Sequence, residues 1–86
     1  MKARVTIFYK DTVFDPQGNT VAESLRRLGF KTVINARVGK VVDIELDAKN
    51  ANDAKASVDK MCEKLLANPV IESFKTEILI SNTGGA

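Results

Sequence analysis

Apolar and polar residues alternate near the start of the chain, where Arg4, Thr6 and Phe8 separate the members of one mainly apolar set: Ala3, Val5, Ile7 and Tyr9. A period of two is expected when one face of a β-strand lies on a hydrophobic core. The pattern therefore predicts a first strand over residues 3–9.

A helix is predicted directly after this strand. Asp15 can accept a hydrogen bond from a free backbone N–H at a helix start, and Pro16 suits the first helical position because its missing N–H is not needed there. Gly29 follows two arginines and suits a left-handed stop after the helix. The residues between them form one apolar helical stripe, which consists of Val21, Ala22, Leu25 and Leu28.

Two further alternating runs, TVINARV and VVDIELD, flank Gly39 and Lys40 between residues 32 and 47. Glycine permits the positive φ angle that a tight reversal needs. The two runs are therefore predicted to form a β-hairpin with its tip at Gly39 and Lys40.

A second helix is predicted to begin at a cap formed by Asn50 or Asn52 and to end at Asn68 and Pro69. Its apolar stripe consists of Ala54, Val58, Met61, Cys62 and Leu65, and we assign Cys62, Leu65, Leu66 and Val70 to packing. A last strand follows, in which Phe74, Ile78 and Ile80 alternate with Lys75, Glu77 and Leu79.

The predicted order is β-α-β-β-α-β, an α+β fold of the ferredoxin-like type with a four-stranded antiparallel sheet and two helices on one face. One domain is expected over residues 1–81, with a flexible tail over 82–86. The uncovered sheet face would carry three large apolar residues among polar ones: Phe8, Val33 and Leu79. Such a face is either simply solvated or a docking surface, and self-association is the simplest form of docking.

Composition narrows the possible functions. The 86 residues allow one core, and the net charge of +2 is spread along the chain, which disfavours nucleic acid and anionic membranes as partners. A single cysteine cannot form an internal disulfide, and the first ten residues lack the apolar run of a signal peptide or a membrane span. We therefore expect a cytoplasmic protein.

The sequence provides little for catalysis. Cys62 lies on an apolar helix face, and a nucleophilic cysteine usually needs a histidine, of which the sequence has none. Asp43, Glu45 and Asp47 point to one face of a strand, so they form either a weak metal site or a solvated face that discourages edge pairing. Arg37 and Lys40 lie at the predicted hairpin tip, where they either face solvent or contact a partner or anion. We expect no catalytic, cofactor-binding or metal-binding residue in this chain.

Three stretches taken together resemble the PurS family, the small subunit of phosphoribosylformylglycinamidine synthase. They are DPQG at 15–18, RVGK at 37–40 and CEKLLANPVIE at 62–72. The resemblance extends over nearly the whole chain in length, element order and motif spacing, and only the SNTGGA tail falls outside it.

The resemblance implies a non-catalytic subunit in purine biosynthesis. In such enzymes a glutaminase subunit releases ammonia, and a large subunit uses ATP and Mg²⁺ to amidate formylglycinamide ribonucleotide. The small subunit would dimerise, bridge the other two and assist ammonia transfer. We expect the two turns to contact the large subunit through Asp15, Pro16, Gln17, Gly18, Arg37, Gly39 and Lys40, and Phe8, Val33 and Leu79 to form the self-association face. Two alternatives remain open: a small-molecule-binding regulatory module, and an autonomous enzyme that uses Asp43, Glu45 and Asp47 with a metal.

Overall fold

The computed structural model describes residues 1–79, which form an antiparallel sheet and two α-helices. The elements in chain order are β1 Lys2–Tyr9, α1 Pro16–Arg27, β2 Lys40–Glu45, α2 Ala51–Met61 and β3 Glu72–Leu79, with a π-helical turn over Cys62–Leu66. β1 is the central strand and pairs antiparallel with β2 on one side and β3 on the other. The α+β class is confirmed. Ile80 and the tail at 82–86 lie outside the described residues, and the domain limits stay a prediction.

The core lies between the sheet and α2. Ala3, Val5 and Ile7 of β1 are buried against Val58 and Cys62, as the alternation and the helical stripe predicted. A half-buried ring of side chains from the other strands and turns surrounds them: Val42, Ile44, Leu46, Leu66, Phe74 and Ile78.

The helix starts are formed by the capping residues that local chemistry predicts. The Asp15 carboxylate accepts a hydrogen bond from Gly18 N at 2.9 Å, and the Asn50 side chain accepts one from Asp53 N at 2.8 Å. Gly29 after α1 has a φ of +108°, as expected for a helix stop.

The predicted hairpin at Gly39 is wrong. Residues 33–39 form no strand, and the chain runs into β2 without a turn or bend. Gly39 does not have a positive φ; its hydrogen instead allows a close approach to β1, because a β-carbon there would lie 2.5 Å from Ile7 O and 2.7 Å from the Phe8 ring. The described residues therefore form three strands, and the predicted fourth is not among them.

Helix α1 does not cover the sheet, so the prediction that both helices share one face is wrong. α2 packs on β1 and β3, whereas α1 makes no comparable contact with any strand. The radius of gyration is 16.4 Å, against about 12 Å expected for a compact chain of this length. We refer to α1 and the chain that follows it, residues 16–38, as the arm.

The π-helical turn alters the end of the second helix. The N–H of Ala67 donates to the carbonyl of Cys62 at 3.0 Å, so this turn holds one residue more than an α-helical turn. Leu65 is consequently 83% exposed while Leu66 is half-buried. Within a single copy, the assignment of Leu65 and Val70 to packing is wrong.

Candidate functional site

Two of the sequence motifs, DPQG and RVGK, meet at the base of the arm. One oxygen of the Asp15 carboxylate accepts a hydrogen bond from Gly18 N at 2.9 Å, and the other accepts one from Val38 N at 2.8 Å. The same side chain therefore caps α1 and holds the chain that enters β2. The sequence predicted the cap but did not reveal the second contact.

The hydrogen bonds from Gly18 and then Val38 hold the pKa of Asp15 below its ordinary value. Both N–H groups favour the charged carboxylate, so Asp15 contributes to stability when it is ionised. That contribution is complete above the unfolded-state pKa of about 3.9 and is lost as the pH falls through the lower folded-state value.

We expect Asp15→Asn to be less stable than the parent chain at pH 7 and to lose this deficit in acid. The amide still accepts one hydrogen bond but carries no charge for the two N–H groups to stabilise. Urea unfolding of both proteins between pH 7 and pH 2 measures the difference. A deficit of constant size across that range would contradict the assignment.

Gly18 is required by the same junction. It is buried, and a β-carbon at this position would overlap the carbonyl oxygen of Ala36. α1 thus lies directly against the segment before β2. Pro16 and Gln17, between Asp15 and Gly18, are exposed.

Arg37 is engaged within the chain. Its guanidinium donates a hydrogen bond to the carbonyl of Tyr9, forms an ion pair with Asp11 at 3.2 Å and lies 5.0 Å from the centre of the Phe8 ring. Arg37 therefore does not simply face solvent, which was one of the two alternatives for the predicted hairpin tip. Lys40 is exposed and forms no salt bridge within residues 1–79.

An open groove of about 540 Å³ lies beside this junction. The turn after β1 forms one wall and residues 35–37 form the other, with Phe14 at its edge and 70% exposed. Both acidic and basic residues line the groove, but Asp15 and Arg37 already form contacts within the chain. Phe14 is the groove's large apolar surface, a feature typical of a protein contact.

The three residues of the predicted self-association face do not come together. Phe8 and Leu79 lie on the face of the sheet opposite α2, but at opposite ends of it, because Lys2 is the partner of Leu79 and Ser73 the partner of Phe8. Val33 lies in the arm, outside the sheet. A self-contact that uses these residues stays a prediction.

Two of the groups considered for catalysis, Cys62 and Asp43, are occupied in structural contacts, whereas Glu45 and Asp47 are exposed. Cys62 is fully buried, and burial raises the pKa of its thiol. Arg4 binds both oxygens of Asp43 at 2.9 and 3.1 Å, and its hydrogen bond lowers the pKa of that carboxyl. Among residues 1–79, no three metal-ligating side chains of the His, Cys, Asp and Glu types lie close enough together to hold an ion.

Comparison with known proteins gives one consistent family. Residues 2–79 match the sequence profile of PurS, described as phosphoribosylformylglycinamidine (FGAM) synthase. The phosphoribosylformylglycinamidine synthase subunit PurS of Archaeoglobus fulgidus is 43% identical over 74 residues, which cover 86% of this chain and 92% of that subunit.

Solved structures agree with this likeness. The crystal structure of PurS from Methanocaldococcus jannaschii is 39% identical and has a TM-score of 0.82, over 88% of this chain and 92% of that one. A chain in the structure of PurLQS from Thermotoga maritima is 36% identical with a TM-score of 0.82, over 91% of this chain and 95% of that one.

Proposed function

The chain belongs to the PurS family of phosphoribosylformylglycinamidine synthase subunits, and we propose that it is the non-catalytic bridge between the glutaminase and large synthetase subunits. The observation that carries the proposal is the likeness to a chain in the PurLQS structure, over 91% of the present chain. The enzyme serves purine biosynthesis, the pathway named for the M. jannaschii relative, and we place the protein in the cytoplasm.

In this role the chain acts through geometry. Ammonia released by one subunit must reach the other without protonation in bulk water, because ammonium is not a nucleophile. A bridge that fixes the two active sites relative to each other shortens this transfer and shields it. ATP and Mg²⁺ act in the large subunit, and the bridge binds neither.

The contacts within the chain support a non-catalytic role. The sequence has no histidine, the thiol of Cys62 is enclosed by the core, and the negative charge of Asp43 is paired with Arg4. The chain therefore offers polar contacts and surface shape rather than a nucleophile or a general base.

Self-association is part of the proposal. The shape is elongated, with principal extents of 49 × 33 × 14 Å. Large apolar side chains are exposed on the arm and on the sheet-bearing body; they include Phe14, Leu28, Phe30, Ile34, Leu65 and Val70. Exposed apolar surface of this kind is typical of a subunit rather than of a free monomer. We propose a homodimer, and we place the predicted four-stranded sheet in the dimer rather than in the single chain.

The partner contacts that we propose are narrower than the two motifs as a whole. Four members of the predicted interface are needed within the chain at the base of the arm. Asp15 and Arg37 form contacts with other residues of the chain, and Gly18 and Gly39 allow close approaches that a side chain would block. Pro16, Gln17 and Lys40 are exposed beside this junction. They are the members of the predicted interface that remain available to the large subunit.

The test is reconstitution with a matching glutaminase and large subunit. Glutamine-supported turnover should fall when the chain is omitted, whereas ammonia-supported turnover should be retained. Loss of both activities would indicate a chemical contribution, and unchanged glutamine turnover would remove the bridging role. A thermal shift of the isolated chain with ATP or glutamine would favour the regulatory alternative.

In the same assay, Lys40→Ala should raise the concentration of the chain that supports half-maximal glutamine turnover several-fold, without changing its melting temperature. The ammonium is exposed, so its loss removes a partner contact and no internal one. Lys60→Ala, an exposed lysine on α2, is the matched control. If both variants needed the same concentration for half-maximal turnover, Lys40 would not be part of the interface.

A further inference from the structure

Two buried oxygen atoms at the contact between α2 and β3 have no hydrogen-bond partner within residues 1–79: Oδ1 of Asp59 and Oγ1 of Thr76. Asp59 belongs to α2. Thr76 lies near the middle of β3 and is paired with the buried Val5, so its side chain points to the face of the sheet that α2 covers. Buried polar atoms are rarely left unpaired, because the loss of hydration costs free energy that a hydrogen bond recovers. Two such atoms on packed elements point to a contact between them.

We propose that the hydroxyl of Thr76 donates a hydrogen bond to Oδ1 of Asp59, and that this link holds α2 at one position on the sheet. The chemistry of the two groups allows only this direction, because an ionised carboxylate accepts hydrogen bonds whereas a hydroxyl both donates and accepts them. The second carboxylate oxygen, Oδ2, already accepts a hydrogen bond from Lys55 Nζ at 2.8 Å. Oδ1 is therefore the atom of Asp59 with unused capacity, and Thr76 is the donor that lies beside it.

The thiol of Cys62 completes the same cluster. It is fully buried about one helical turn after Asp59, and it also lies against the Thr76 hydroxyl. With its own hydrogen directed to Asp59, Thr76 Oγ1 can still accept a hydrogen bond from the weak S–H donor. The three groups then form one chain of hydrogen bonds, which ends at the ion pair of Asp59 with Lys55. A buried network in which each group has a partner stabilises the fold, whereas a half-satisfied network is costly.

Few charged groups surround Asp59. On α2, Lys55 is bound to it, and Lys60 and Glu63 are exposed. The residues of β1 beneath α2 are apolar. β3 carries three charged side chains: Glu72, Lys75 and Glu77. The last two point to the face opposite α2, and the first lies at the start of the strand, four residues before Thr76. The hydrogen bond from Lys55 holds the pKa of Asp59 below its ordinary value, burial opposes this effect, and the Thr76 hydroxyl lowers the pKa further.

The apolar contact beneath α2 does not by itself define where the helix sits. The side chains that the helix and its last turn bury are small: Ala54, Val58 and Cys62. Because the hydrophobic effect is non-directional, these contacts favour burial more strongly than they favour one exact position. A hydrogen bond restricts both distance and direction. Displacement of α2 would separate Asp59 from Thr76 and leave two buried oxygens unpaired, so the link selects a single placement of the helix.

Thr76→Val tests the link by the sign of its effect. With the link, the variant leaves Oδ1 of Asp59 buried without a donor, so the melting temperature at pH 7 should fall by about 4–8 °C. The pKa of Asp59, measured by NMR titration of its carboxyl carbon, should rise. The deficit in melting temperature should shrink as the pH falls through the lower pKa of the parent, because the link favours the ionised carboxylate. Without the link, the substitution only removes an unpaired hydroxyl from the core and should not lower the melting temperature.

Thr6→Val is the matched control. Thr6 lies on β1 between two buried residues, so it points to the face of the sheet opposite α2. This variant should leave the pKa of Asp59 unchanged. Thr76→Ser keeps the hydroxyl and should keep the low pKa of Asp59, even where the lost methyl group lowers the melting temperature.

The position of α2 is measured by relaxation-dispersion NMR. Amides of α2 should show millisecond exchange in Thr76→Val and none in Thr6→Val. Three results would overturn the link: an unchanged or raised melting temperature of Thr76→Val, an unchanged pKa of Asp59 in that variant, or a pKa in Thr76→Ser as high as in Thr76→Val. A Thr76→Val protein whose α2 amides show no exchange would exclude the role in holding the helix.

Discussion

Gly18→Ala is expected to destabilise the protein by about 1–3 kcal/mol and to release the arm from its base. The added methyl group would overlap the carbonyl oxygen of Ala36, which belongs to the backbone and cannot rotate away. α1 or the segment before β2 must therefore move, and the hydrogen bond between Asp15 and Val38 is expected to lengthen. Chemical unfolding, together with glutamine turnover in the reconstituted enzyme, measures both effects.

Gly29→Ala is the control for this substitution. A β-carbon at Gly29 has no neighbour within 4 Å, so its cost comes only from the φ of +108° and should be about 1–2 kcal/mol. Turnover should be affected by the change at Gly18 and spared by the change at Gly29. Parent-like stability and turnover of Gly18→Ala would mean that the contact with Ala36 is not needed.

Ile7→Ala should lower the free energy of unfolding by about 2–5 kcal/mol. Ile7 is 1% exposed and belongs to the buried cluster on the central strand, so its truncation leaves a cavity that neighbours on both sides of the strand cannot fill. Urea unfolding at matched protein concentration gives the value.

Ile7→Val removes one methylene from the same place and should cost about 0.5–1.5 kcal/mol. The graded pair separates cavity formation from a general effect of altering β1. Equal losses for the two variants, or a loss below 1 kcal/mol for alanine, would contradict the burial of Ile7.

The features predicted correctly are those set by neighbours in sequence. The alternation in β1, the caps at Asp15 and Asn50 and the positive φ of Gly29 all depend on residues a few positions apart. A period or a capping side chain carries this information directly, so no knowledge of distant contacts was needed.

Most of the features predicted wrongly depend on distant contacts, and one depends on an irregular helical turn. Glycine suits either a reversal or a close approach, and only the position of Ile7 and Phe8 shows that Gly39 serves the second. Leu65 continues an α-helical stripe in the sequence, but the extra residue in the π-helical turn directs it outward. The contacts of Arg37 could not be predicted because its partners, Tyr9 and Asp11, precede it by more than 20 residues.

Because the arm exposes apolar side chains in the single copy, the stability of this protein should depend on its concentration. A chain that leaves apolar side chains uncovered until it meets a second copy gains stability by mass action, so dilution alone weakens it. The share of chains that are folded should then rise with the amount synthesised, and scarce chains would be the first exposed to proteolysis. An enzyme assembled on such a subunit would therefore be sensitive to the abundance of its smallest component.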